Sequence, residues 1–113
     1  MAVSDARFAA QLVARAEEPR IFDDVGCLRS YLRGGARIPA RAVAYVADHR
    51  SKEWVPASRA VYTHVPGLTT PMLSGLVAHA DAASRAADTD AARGEPRSVQ
   101  EIFGASGPPE GKP

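Results

Sequence analysis

An α+β domain is what this sequence predicts, on three observations. Short apolar runs of strand length recur along its 113 residues, closed by Gly, Pro or acidic punctuation. Two longer segments carry helix signals instead. The order strand, strand, helix, strand occurs in the first half and comes again in the second, which predicts two related units in one compact domain. At 45% hydrophobic and 24% charged residues the composition is globular, and the length suffices for one modest core. The expected bounds are residues 1–104 for the domain, about 1–50 and 51–104 for its two units, and 105–113 for a tail.

The first unit opens with residues 7–14 (RFAAQLVA), an apolar run of strand length, followed after Glu17-Glu18-Pro19 by a short strand at Arg20-Ile21-Phe22. Asp23 or Asp24 then offers an N-cap, Leu28, Tyr31 and Leu32 share one helical face, and Gly34-Gly35 stops the helix. Residues 42–47 (AVAYVA) read as the next strand. In the second unit, residues 54–65 (WVPASRAVYTHV) contain a strand with Pro56 near its entry, and residues 76–78 form another apolar run. Residues 82–92 are Ala-rich enough for a helix despite their aspartates. Arg97-Ser98-Val99 gives a short closing strand and residues 100–103 a last turn. From residue 105 the Gly/Pro/Ser/Lys composition predicts disorder.

Several function classes are excluded early. The formal net charge is +1, with Arg interspersed among Asp and Glu, so no basic stripe exists for phosphate contacts and nucleic acid is not an expected partner. A single cysteine rules out an internal disulfide, and no Cys/His cluster has structural-zinc spacing. There is no Gly-rich phosphate loop, nucleophile elbow or His-Glu-x-x-His motif, and the expectation is that the chain is not an enzyme. No run approaches the length of a membrane span, and Met1-Ala2-Val3-Ser4-Asp5 has neither a basic n-region nor an apolar h-region. If Met1 is the true start, this predicts a cytoplasmic protein.

Soft atoms carry what chemistry remains. Cys27 falls in the first turn of the predicted helix, where exposed amides favour a thiolate; Asp23 and Asp24 oppose that, and a buried thiol acting as a small apolar residue is the other reading. Met72 lies in GLTTPMLSG, fenced by Gly67, Pro71 and Gly75, a poor setting for a core side chain and a good one for a side chain that meets something from outside. Its thioether suits Cu(I), especially beside a thiolate, whereas a gap-filling core role is the alternative. His49 follows Asp48 in a turn and is expected to be solvated. His64 and His79 approach each other if their strands pair; either then supplies an imidazole or is a satisfied histidine without a ligand. Helix capping accounts for the Asp23-Asp24 pair, and packing for Trp54, Tyr45 and Tyr62.

RFAAQLV, RIFDDVGCLRSYL, AYVADH, EWVPASRAVYTHV and TTPMLSGLVAHAD stand in an order and spacing that together resemble the NosL family, the nitrous oxide reductase accessory proteins. The resemblance runs from residue 1 to about 104. Its most specific pieces are Phe-Asp-Asp-x-Gly-Cys and Thr-Pro-Met-x-x-Gly. It implies two related ββαβ units and a membrane-anchored, periplasmic or extracytoplasmic lipoprotein. Such a protein binds Cu(I) and passes it to nitrous oxide reductase or its assembly machinery for the catalytic copper-sulfide centre.

The ligands implied are Met72, Cys27 and Met1, with Asp24, His64 and His79 as further ligands or supports. Family members begin with a lipobox cysteine and a Cys-Gly-Met motif. Met1 matches that methionine, but the cysteine before it has no counterpart: the expectation is a chain N-terminally truncated relative to the family, or else a protein that has lost that thiolate. A non-catalytic interaction module that kept the fold and lost tight copper binding is the alternative.

Overall fold

Two antiparallel sheets, one of four strands and one of three, share one core. The structure, a computed structural model, describes residues 5–35 and 37–111. In the first sheet β1 (Ala10–Val13) lies between β2 (Arg20–Phe22) and β3 (Val43–Ala47), and β4 (Trp54–Pro56) pairs with the far side of β3. Ala10 and Leu12 of β1 are buried while Gln11 and Val13 are less so, the period-two pattern of a half-covered sheet. The helix α1 (Val25–Arg33) covers the buried face with Val25 and Leu28, flanked by Tyr31 and Leu32. Asp24 caps its start, and the amide of Gly34 bonds back to the Tyr31 carbonyl at its end.

In the second sheet β5 (Val61–His64) is central, between β6 (Leu76–His79) and β7 (Glu95–Arg97). In both sheets, therefore, the first strand lies between the second and the third, and a helix follows the second. That helix is α2 (Ala82–Ala86) here, and α3 (Val99–Phe103) closes the unit. Val46, Leu28, Tyr62, Leu76, Ile102 and Phe103 belong to a single buried cluster drawn from both sheets. A parallel bridge between Asp48 and Ala78 and the bond from the His49 amide to the Ala78 carbonyl (2.8 Å) join the sheets at the backbone.

The α+β class is as expected, and the differences lie in element ends. Residues 6–8 form a 3-10 turn capped by Asp5, so the first strand starts only at Ala10. The run 54–65 holds two strands in different sheets. The Ala57 amide still bonds to Ala44 of the first sheet and the Arg59 amide to Pro56, so the chain passes from the first sheet to the second over residues 57–60. The Ala-rich segment breaks after Ala86, because Asp88 caps a new 3-10 turn at Thr89–Ala91. The closing strand lies two residues earlier than expected. Ser98 and Glu101 form a capping box that starts α3, and Pro96, which lacks an N–H, is tolerated because β7 is an edge strand. The expected tail is held through residue 111: the Ala44 amide bonds to the Pro109 carbonyl, the Gly111 amide bonds to Ala42, and Pro108 is buried.

Candidate functional site

The two most distinctive segments of the sequence meet at one carboxylate. Asp24 is fully buried, and its Oδ1 accepts from the Gly26 amide (2.7 Å) and from the Ser74 hydroxyl. Its Oδ2 accepts from the Thr70 hydroxyl (2.5 Å) and the Met72 amide (3.1 Å). Burial alone would raise this carboxyl's pKa, but the bonds from Ser74, Thr70, Gly26 and Met72 outweigh it and hold the group below the usual carboxylate range. Asp24 is thus a fixed anion whose acceptor positions are taken by helix and loop. That geometry gives it a supporting place and leaves it little capacity to ligate.

The loop is shaped to fit this anchor. The Leu73 amide bonds to the Thr70 carbonyl, the Gly75 amide to the Thr70 hydroxyl (3.2 Å), and the Leu76 amide to the Ser74 hydroxyl (3.1 Å). Gly26 permits the approach, since a Cβ there would stand 2.6 Å from Ser74 Cβ. Gly75, at φ +70°, lies against His64, whose Nε2 would be 3.0 Å from an added Cβ. The result is a tethered tip on which Met72 is 61% and Leu73 79% exposed. Met72 is therefore not a core residue.

Cys27 follows Asp24 in the first turn of α1, half-buried and packed against the shared core. Burial first, then the charges of Asp24 and Asp23, push its thiol pKa up, so they prevail over the helix amides that favour a thiolate. His64 is half-buried at the end of β5 and lines a cleft of about 270 Å³ with Arg29, Ser74, Leu76 and Arg97. Met1 lies outside the described residues.

His64 and His79 do not converge, although their strands pair. The register sets His64 opposite Leu76 and His79 opposite Val61, at opposite ends of the β5–β6 pair. His79 is instead fully buried, with Nε2 2.7 Å from Asp88 Oδ2. His49, expected in solvent, is 2% exposed with Nε2 2.9 Å from Asp90 Oδ2. The Asp48 carboxylate fixes the turn around it, accepting from the amides of Arg50, Ser51 and Ala80 and from the Ser84 hydroxyl. These bonds outweigh burial and hold Asp48 well below the usual carboxylate range.

The His49 and His79 rings stand edge to face with centroids 6.1 Å apart, and Phe8 packs on His49 at 4.9 Å. Sequence reasoning missed this cluster. The only local signal was that both histidines end apolar runs, AYVADH and LVAH. Comparison with family models, with curated proteins and with solved structures finds no match to the chain.

Proposed function

We propose that this protein binds Cu(I) as an accessory protein resembling NosL and delivers it for the copper-sulfide centre of nitrous oxide reductase. The observation that carries this reading is the Asp24 anchor, which ties the turn bearing Cys27 to the loop bearing Met72 and leaves the Met72 thioether exposed. Copper is cargo here, so an exposed and exchangeable donor on a fixed tip suits both loading and release. A thioether is neutral and carries no proton, whereas the Cys27 thiol must lose one against burial and two nearby carboxylates. Met72 is accordingly the entry donor and Cys27 the second; His64, beside the same loop, is the nearby imidazole. The resemblance implies an extracytoplasmic setting and nitrous oxide reductase or its assembly machinery as the recipient.

A competition titration with bathocuproine, on wild type and Met72→Ala, tests the reading. The variant should bind Cu(I) at least about tenfold more weakly, the lower end of what losing even a supporting group costs a metal site. Equal, weak binding by both would remove Met72 from the site. The raised thiol and the apolar Met72-Leu73 tip favour the second reading, an interaction module without tight copper binding. No Cu(I) uptake by wild type would select it.

A further inference from the structure

A second metal-ion chemistry is available away from the Met72 loop, and it does not rest on the copper reading. One ring nitrogen of His49 and one carboxylate oxygen each from Asp88 and Asp90 all lie within 4.8 Å of one another. The cluster grades from the buried His49 through Asp88, 9% exposed at its side chain, to Asp90, 42% exposed. Phe8 and His79 pack against His49 on the core side, and Asp90 lies on the exposed side.

Two buried imidazoles form the inner wall of the cluster. His49 and His79 each set Nε2 on a carboxylate, and neither Nδ1 has a hydrogen-bond partner among the described residues. Each Nε2 faces a carboxylate, which can only accept, so both rings present an Nε2–H to the aspartates. Asp88 and Asp90 bring two carboxylates to the cluster. Arg7 is 3.7 Å from Asp90, but it is held more closely by Asp5 at 2.8 Å, and that pair cancels itself. Among the described residues the close cationic or imidazole neighbours of the two carboxylates are His49, His79 and Arg7.

We propose that His49, Asp88 and Asp90 form a binding site for a divalent transition-metal ion of the Zn²⁺ type, with water completing its coordination on the exposed side. Nitrogen and carboxylate donors suit such an ion, and three protein ligands with one open position is a familiar zinc arrangement. Metal–ligand bonds of about 2.0–2.2 Å set neighbouring donors roughly 3.3 Å apart in a tetrahedral site, so modest rotation of Asp88 and Asp90 closes the cluster. The ion takes the place between His49 Nε2 and Asp90, and the imidazole proton moves to Nδ1. That unpaired N–H weakens binding by roughly ten- to a hundredfold, against two new carboxylate–metal bonds. His79 is a positioning residue: its Nε2–H holds the Asp88 carboxylate, the kind of outer bond that orients a metal ligand.

The test is calorimetric titration of the whole chain with Zn²⁺ alone, paired with thermal melts. Wild type should bind one equivalent and melt at a higher temperature with it. Asp90→Asn, at an exposed position that preserves the fold, should bind more than about tenfold more weakly, and Asp88→Asn should do the same. Met72→Ala should bind Zn²⁺ as wild type does, and Asp90→Asn should take up Cu(I) as wild type does in the bathocuproine assay. Absence of Zn²⁺ binding by wild type overturns the proposal, as does undiminished binding by Asp90→Asn. Loss of Zn²⁺ binding in Met72→Ala also overturns it, since one site would then serve both metals. Failure of the copper reading shows separately, as Cu(I) binding absent from wild type while Zn²⁺ binding persists.

Discussion

The Asp24 carboxylate accepts from the helix it caps and from a loop 46 to 50 residues further along the chain. Replacing it with Asn keeps one acceptor but introduces an N–H pair facing donors, so Asp24→Asn should cost about 2–3 kcal/mol, measured by urea unfolding. The Met72 amide should also exchange hydrogen faster, because its acceptor among the described residues is that carboxylate. The same group sets a pH dependence. Its folded-state pKa lies below the ordinary 3.8, and that of Asp48 is lowered likewise. The unfolded chain therefore takes up protons first as pH falls. The stability these groups contribute is fully present above about pH 5 and is lost progressively as pH drops through the folded values. Urea melts from pH 7 to pH 3 should show a fall confined to the acid end and shallower in Asp24→Asn. An identical fall in the variant would place the acid sensitivity elsewhere.

Elements were legible where their signals are local. The helix α1 has its cap at Asp24, its apolar face at Leu28, Tyr31 and Leu32, and its stop at Gly34, all within eleven residues, and it forms as expected. The exposure of Met72 was likewise readable from its Gly/Pro fence. What sequence could not give was long-range pairing. Nothing in Asp48-His49-Arg50-Ser51 separates a solvated turn from a buried one, because the partner of His49 is Asp90, 41 residues away. The register that parts His64 from His79 depends on how the 65–75 loop folds onto Asp24, which neither strand encodes. Gly26 shows how tightly that docking is set. In Gly26→Ala the new methyl would meet Ser74 Cβ at 2.6 Å, both atoms close to backbone, so α1 or the loop must move. The expected cost is about 1–3 kcal/mol. Amide shifts in a ¹H–¹⁵N spectrum should concentrate at residues 70–75; a spectrum unchanged there would mean the contact is loose.

At the scale of the whole molecule, the two sheets cannot be separated without opening their common core. Leu28 lies in a helix of the first unit, yet it shares its cluster with Tyr62, Leu76 and Phe103 of the second. Tyr62 stands edge to face with Phe103 at 5.6 Å and donates its hydroxyl to the Ala57 carbonyl (2.6 Å) in the segment between the sheets. A buried leucine truncated to alanine loses its transfer energy and leaves a cavity, so Leu28→Ala should cost about 2–5 kcal/mol. Because that loss falls on a shared cluster, it should lower both units together. Trp54, the sole tryptophan, sits on β4 and reports the first sheet by fluorescence, while far-ultraviolet circular dichroism reports both. In wild type and in Leu28→Ala the two signals should trace one transition with a common midpoint, shifted downward in the variant. If tryptophan fluorescence were lost at a lower denaturant concentration than the dichroism, the first unit would be opening alone. The core would then be divided between the units, and an independently folding first unit would release Asp24, and with it the Met72 loop, before the second sheet gave way.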